Sequence, residues 1–321
     1  MSIELAARVR AGERNAVAAA LNLLDARDPA RRAAALPLLN ALAGGARAVR
    51  LGLTGAPGAG KSTLLDALIA ALRRREQSVG IVAVDPSSQF SGGALLADRV
   101  RASRGADDPK VFFRSMASRG RLGGIAQATR AGLAVLAAAY DWVIVETVGV
   151  GQSEMEVADL VDTLVYVAQP GAGDVLQYMK AGLLELPDLF AVNKADLGTP
   201  AAQTAHELRR GLDIVTQGRA GGPPPVLLVS ATTDQGVDEL LAAIEVHRAA
   251  LGADGLVARR HAGNTRFVVA ELQARYGSYG LAALGGQAAL EPWLHALSDG
   301  NELDVVERAG HAIEAALRAA H

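Results

Sequence analysis

Between residue 48 and about residue 250, short apolar runs alternate with amphipathic stretches. The runs are AVRLGLT (48–54), SVGIVAVD (78–85), KVFFR (110–114), DWVIVET (141–147), DTLVYVA (162–168), DLFAVN (188–193) and PVLLVS (225–230). Most are apolar at successive rather than alternate positions, so both faces need cover, as in strands of a parallel sheet flanked by helices. Stretches 61–76, 123–139, 172–185 and 200–216 carry helical spacing and separate the runs. This alternation predicts an α/β fold with a doubly wound, mostly parallel sheet and a ligand at the carboxyl ends of the strands. Ahead of it, LAARVRAGERNAVAAALNLLDA reads as helix, and Pro29 starts or interrupts a second segment running toward Gly44 and Gly45. GRAGGPPPV (218–226) reads as a loop, and beyond about residue 255 NTRFVVAELQARYG and ELDVVERAGHAIEAALRAA are helical again. The expected division is 1–47 as a helical extension, 48–254 as the α/β domain and 255–321 as a helical arm.

Composition narrows the classes. The chain has 321 residues, half of them apolar, enough for one large or two small cores. A formal charge of −2 gives no basic excess for nucleic acid. The absence of cysteine excludes disulfides, thiolate ligands and cysteine nucleophiles. No run reaches the roughly 18 to 20 apolar residues that span a bilayer, and the first residues carry no secretory apolar core, so a cytoplasmic protein without membrane contact is expected. Only four lysines occur, Lys61, Lys110, Lys180 and Lys194, against an arginine-rich background. Two of them fall inside nucleotide motifs, where a compact ammonium cannot be exchanged for a planar guanidinium.

The first motif is GAPGAGKST (55–63), matching G-x-x-x-x-G-K-[ST] between a predicted strand and a predicted helix. Its glycines let backbone N–H groups turn inward on phosphates, and the helix N-terminus adds its positive dipole end. Lys61 is placed to reach the β- and γ-phosphates and the Ser62 hydroxyl to bind Mg²⁺. The second is NKAD (193–196), matching the guanine-reading N-K-x-D. Asp196 can accept from both N1–H and the exocyclic amine of guanine, donors that adenine lacks in that geometry, and a site built for such bonds rejects the analogue without them. Lys194 would lay its stem along the base. VSA (229–231) follows, with Ser230 and Ala231 resembling the last G-protein motif that closes over the base. The third is ETVGVGQSE (146–154), where Glu146 replaces the commoner aspartate of D-x-x-G and Gly149 supplies the N–H that senses the γ-phosphate. The extra methylene of Glu146 suits a water-mediated metal contact. The fourth is VDPSSQFSGGALLADR (84–99), whose Asp85 and Asp98 are two carboxylates for Mg²⁺, directly or through water. Gln152 and Glu154 are open candidates to position the attacking water.

Together these strings resemble the MeaB/ArgK-type G proteins, a family that includes the methylmalonic-aciduria type A protein. The resemblance runs from the N-terminal helices to the C-terminal arm and is carried most specifically by VAVDPSSQFSGGALLADR, ETVGVGQSE and PGAGDVLQYMKAG. It implies a P-loop GTPase, converting GTP to GDP and phosphate, that works as a homodimer through its C-terminal helices. It implies a chaperone of an adenosylcobalamin-dependent acyl-CoA mutase, gating cofactor loading and protecting or reactivating the enzyme. It assigns phosphate binding to Gly55, Ala56, Pro57, Gly58, Ala59, Gly60, Lys61, Ser62 and Thr63. Ser62, Asp85, Asp98 and Glu146 fall to Mg²⁺, with Lys61, Asp85 and Glu146 in catalysis and Gly149 on the γ-phosphate. Guanine falls to Asn193, Lys194, Asp196, Ser230, Ala231 and Thr232. Segment 170–182 aligns with an extra switch loop that signals to the mutase. Where the family often reads GDELQGIKKG, this chain has Val175, Tyr178, Met179 and Ala181, losing one charge of each sign. The client is left between methylmalonyl-CoA mutase and a relative acting on isobutyryl- or hydroxyisobutyryl-CoA.

Two other classes share the P-loop. A metal-delivery GTPase needs clustered soft or imidazole ligands, whereas His206, His247, His261, His295, His311 and His321 show no metal-ligand spacing. A P-loop kinase needs an acceptor pocket with a base, which no motif supplies, and NKAD favours GTP over ATP.

Overall fold

The computed structural model describes residues 2–24, 29–44, 48–85, 107–117, 127–147, 153–171, 185–217, 222–297 and 301–319. Among these, seven strands form one sheet: β1 (Val49–Gly55), β2 (Val79–Asp85), β3 (Val111–Ala117), β4 (Trp142–Thr147), β5 (Thr163–Ala168), β6 (Leu189–Val192) and β7 (Val226–Leu228). The order is β3-β2-β4-β1-β5-β6-β7, and every pairing is parallel. All seven predicted strands are present within a few residues of their expected ends. Every residue of β4, β5 and β6 is buried, which accounts for their unbroken apolar runs.

The helix after β1, Lys61–Arg74, turns Leu64, Leu65, Leu68, Ile69 and Leu72 onto the sheet face formed by Leu51, Leu53, Ile81, Ile144 and Val165. Each such fully buried side chain contributes roughly 1.5–3 kcal/mol. Arg73 and Arg74 close its last turn, where positive charge complements the helix dipole. On a second face, Ala201, Ala205, Leu208 and Leu212 of the helix Thr199–Val215 cover Tyr166, Phe190 and Val192. Their spacing of three and four residues is the apolar stripe of an amphipathic helix.

The chain divides into two compact units, one of Val49–Ala126 with Tyr140–Leu256 and one of Met1–Ala48, Gln127–Ala139 and Val257–His321. The helix Gln127–Ala139, read from the sequence as part of the central domain, groups with the terminal helices. Within that helical unit, Arg130 is buried, donates to Asn264 Oδ1 at 2.9 Å and stacks its guanidinium 4.4 Å from the Phe267 ring centre. The first predicted helix is split at Gly12 into Ser2–Arg10 and Arg14–Leu24, and the next runs Pro29–Leu42. Helix Val237–Leu284, with left-handed backbone at Gly252 and Gly277, contributes to both units, and Glu302–Ala319 follows. Val268, Leu272, Leu290, Val305, Val306 and Ile313 form the core between these last helices. No helix among the described residues is long and apolar enough to cross a membrane.

Candidate functional site

The carboxyl ends of β1, β2, β4, β5 and β6 lie at one edge of the sheet, and four of the sequence motifs start there. Strand β1 ends at Gly55, directly opposite Val167 of β5. Its φ is +139°, and a Cβ there would stand 2.1 Å from the Val167 carbonyl oxygen. Only glycine tolerates that approach and that backbone angle. The loop then turns through Gly58 to Gly60, which precedes the helix at φ +84° and would drive a Cβ to 2.5 Å from Asn193 Nδ2. The helix starts at Lys61 and aims the N–H groups of its first turn and its positive dipole end at the loop.

Lys61 is 7% exposed, and its Nζ donates to the carbonyls of Gly55 at 2.7 Å and Ala56 at 3.0 Å. The ammonium is thus folded over the loop it follows. The Ser62 hydroxyl donates to Glu146 Oε1 at 2.6 Å. Glu146 is 5% exposed and sits in register with Leu53 of β1 and Ala83 of β2. Two hard oxygen donors beside a phosphate-binding loop suit Mg²⁺ in ligand type. Asp85 closes β2, one residue beyond the pairing of Val84 with Thr147, so its backbone lies at the same edge. Asp98, Gly149, Gln152 and the loop 172–184 fall outside the described residues.

The second half of the site is built on β6. Asn193 follows that strand and is 2% exposed. Its Nδ2 donates to the carbonyls of Ala59 at 2.9 Å and Gly60 at 3.3 Å, while its Oδ1 accepts from the Ala231 N–H at 3.2 Å. One side chain therefore ties the phosphate loop to both base-reading segments. Lys194 has left-handed backbone, φ +60°, and its Nζ donates to the Gly58 carbonyl at 3.0 Å. Asp196 lies exposed on a short 3₁₀ turn, Ala195–Leu197, and its Oδ1 accepts from the Ser230 hydroxyl at 2.6 Å. Ser230 Oγ also lies 3.1 Å from Thr232 Oγ1, and the Ala195 N–H donates to the Val229 carbonyl at 2.9 Å. The structure thus gathers the residues of 55–63, Glu146, 193–196 and 230–232 along one edge of the sheet. Pro57, Gly58 and Thr63 are exposed, whereas Ala56 and Ala59 are buried against the fold.

Sequence reasoning passed over Gln169, which follows β5 and whose Oε1 accepts from Lys194 Nζ at 3.4 Å. Its one signal was position, as the first polar residue after the strand beside the phosphate-loop strand. Asn193 was grouped with the base, yet its amide is committed to Ala59, Gly60 and Ala231, three contacts that no sequence pattern exposes. Among the described residues no three His, Asp or Glu side chains converge as a metal-binding group.

The profile of the family described as methylmalonyl-CoA mutase-associated GTPase MeaB matches residues 17–276. A protein of Pyrococcus horikoshii is 45% identical over 260 residues, spanning 80% of this chain and 81% of its own. GTPase ArgK of Escherichia coli is 42% identical over 252 residues, 77% of this chain and 76% of that one. The mouse mitochondrial homologue of the methylmalonic aciduria type A protein is 37% identical over 193 residues, 59% of this chain and 46% of its own length. A crystal structure described as a LAO/AO transport system kinase superposes with a TM-score of 0.69 at 32% identity, covering 96% of both chains.

Proposed function

The chain belongs to the MeaB family of GTPases, related to the methylmalonic aciduria type A protein, and from that premise we propose that it is a GTP-driven chaperone of an adenosylcobalamin-dependent acyl-CoA mutase. It binds guanine nucleotide and hydrolyses GTP. The proposal adds a client enzyme, a homodimer formed through the C-terminal helices, and roles for individual residues.

The observation that carries the residue roles is the pair of contacts joining motifs distant in sequence, Ser62 to Glu146 and Asn193 to Ala59 and Ala231. Phosphates sit against the backbone N–H groups of 55–63, and Lys61 leaves its two carbonyl partners to neutralise their charge. The Ser62 hydroxyl and the Glu146 carboxylate, with Asp85 from the neighbouring strand, would hold Mg²⁺, which when bound neutralises charge on the β- and γ-phosphates. Glu146 keeps the Ser62 hydroxyl oriented by accepting its hydrogen bond, which leaves the oxygen lone pairs free to face a cation. Asp196, steadied by Ser230, accepts from the N1–H and amine of guanine. Nucleotide state biases segments 85–99, 146–154 and 170–182, which follow β2, β4 and β5 in the sequence, between two arrangements that bind a mutase differently.

A direct test is titration of a candidate acyl-CoA mutase into the protein loaded with GDP or with a non-hydrolysable GTP analogue. An affinity that differs at least about fivefold between the two states is expected, the lower range of coupling free energies. Equal affinities would remove the switch from the proposal, since a ligand pair without differential affinity shifts nothing. A phosphotransferase reading has one point in its favour, the kinase description of the similar crystal structure. Transfer of label from ATP to a small acceptor would establish it, and the guanine-type segment 193–196 speaks against it.

A further inference from the structure

Gln169 is the first residue beyond β5, and the chain around it is fastened on both sides. The Asn193 N–H donates to the Ala168 carbonyl at 2.9 Å, and the Gly171 N–H donates to Thr204 Oγ1 at 3.2 Å. Between these two points the Gln169 side chain reaches two parts of the nucleotide site. Its Oε1 accepts from Lys194 Nζ at 3.4 Å, and a methyl group at Gly58 would stand 3.5 Å from the same oxygen. Lys194 donates at the same time to the Gly58 carbonyl at 3.0 Å. The ends of β5 and β6 and the middle of the phosphate loop therefore meet at one ammonium.

A lysine is a point charge on a flexible stem, and ordering such a chain costs rotamer entropy. With Gly58 as its one acceptor the ammonium could swing about that bond. A second acceptor, supplied from a different strand, fixes the direction of the stem. A carboxamide does this without cancelling the positive charge, which a carboxylate would do beside a phosphate site. Among the described residues the Gln169 side chain makes no other hydrogen bond.

We propose that Gln169 is a positioning residue for guanine-nucleotide binding, holding the Lys194 stem in the place where the base stacks on it. This rests on the assignment of Asn193–Asp196 to guanine. Gln169 meets Lys194 in the protein without nucleotide, so it prepares the stem for the base and acts on affinity rather than on the chemical step.

The test is a double-mutant cycle on the full chain, with Gln169→Leu, Lys194→Ala and both together. A fluorescent GDP analogue and steady-state GTP hydrolysis serve as the two readouts. Gln169→Leu is expected to weaken GDP binding about fivefold to tenfold, in the range of one hydrogen bond, and to raise KM for GTP while leaving kcat unchanged. In the Lys194→Ala background the same change should have no further effect, because its partner is gone. The nucleotide-free unfolding temperature should stay within about 2 °C of wild type, which separates positioning from a loss of fold. Unchanged GDP affinity in Gln169→Leu, alongside a loss in Lys194→Ala, would overturn the inference and leave the guanine assignment standing. Independent effects that multiply in the double variant would overturn it too. Unchanged affinity in Lys194→Ala would remove the guanine assignment and this inference with it.

Discussion

One methyl group at Gly55 would collide with the backbone on which the phosphate loop rests. Its Cβ would lie 2.1 Å from the Val167 carbonyl, at a backbone angle that side-chain-bearing residues avoid. Gly55→Ala should destabilise the protein by more than about 4 kcal/mol, the range of severe strain and overpacking, read as a fall in the denaturant midpoint. Lys61→Ala removes the ammonium with the stem that carries it and leaves the backbone of the loop in place. It should weaken GTP binding at least about 100-fold, since hydrogen bonds to charged groups are worth about 1.5–3 kcal/mol each; calorimetric titration showing wild-type affinity would refute the loop's role. Asp196→Asn exchanges an acceptor for a donor where guanine presents N1–H and an amine. Preference for GTP over ATP should fall by about 100-fold or more, as for sites that lose a matched polar partner, and competition binding with both nucleotides measures it. These residues were legible because each carries a chemistry tied to a fixed spacing. Gln169 and the stapling role of Asn193 were not legible, because their partners lie 25 and 134 positions away in the chain and meet only at the ends of neighbouring strands.

The strands could be read from the sequence because burial on both faces leaves long apolar runs with no polar alternation. Helix ends and helix grouping were harder. The stripe in residues 5–26 continues across Gly12, where the chain turns and starts a second helix. Helix Gln127–Ala139 falls between β3 and β4 in the sequence, yet its buried Arg130 is bound to Asn264 and stacked on Phe267. A single arginine in an alanine-rich helix gives no hint of partners more than a hundred residues on. At the outer edge of the sheet, Arg73 Nε donates to Asp108 Oδ2 at 2.8 Å and joins the end of its helix to the turn before β3. The Arg73 hydrogen bond, followed by that of the Lys110 N–H, holds the Asp108 carboxyl below its usual value. The stability this adds is complete above the unfolded-state pKa of about 3.9 and fades as pH falls through the lower folded-state value. Asp108→Asn should therefore be less stable than wild type at neutral pH, with the gap closing in acid. A gap independent of pH down to about pH 2 would show that the charge on Asp108 contributes nothing.

At the scale of the molecule, one unit holds the sheet and the nucleotide motifs, and the other gathers helices from both termini with Gln127–Ala139. The chain crosses between the two units four times, after Ala48, Ala126 and Ala139 and, within helix Val237–Leu284, after Leu256. The homodimer proposed above would form through the C-terminal helices of the helical unit. Sedimentation of the free protein should give twice the chain mass, and deletion of 302–319 should return it to a monomer. The matching family is described as methylmalonyl-CoA mutase-associated, which is what the proposed client rests on, and the departures at Val175, Tyr178, Met179 and Ala181 bear on which mutase that would be. The measurement that tests the account most directly is GTP hydrolysis, alone and with candidate acyl-CoA mutases in apo and cofactor-loaded forms. A rise of several-fold with one mutase, differing between its apo and loaded forms, is the predicted result. Hydrolysis unaltered by every such mutase, with normal GTP binding, would contradict the chaperone role and leave a GTPase with a different client.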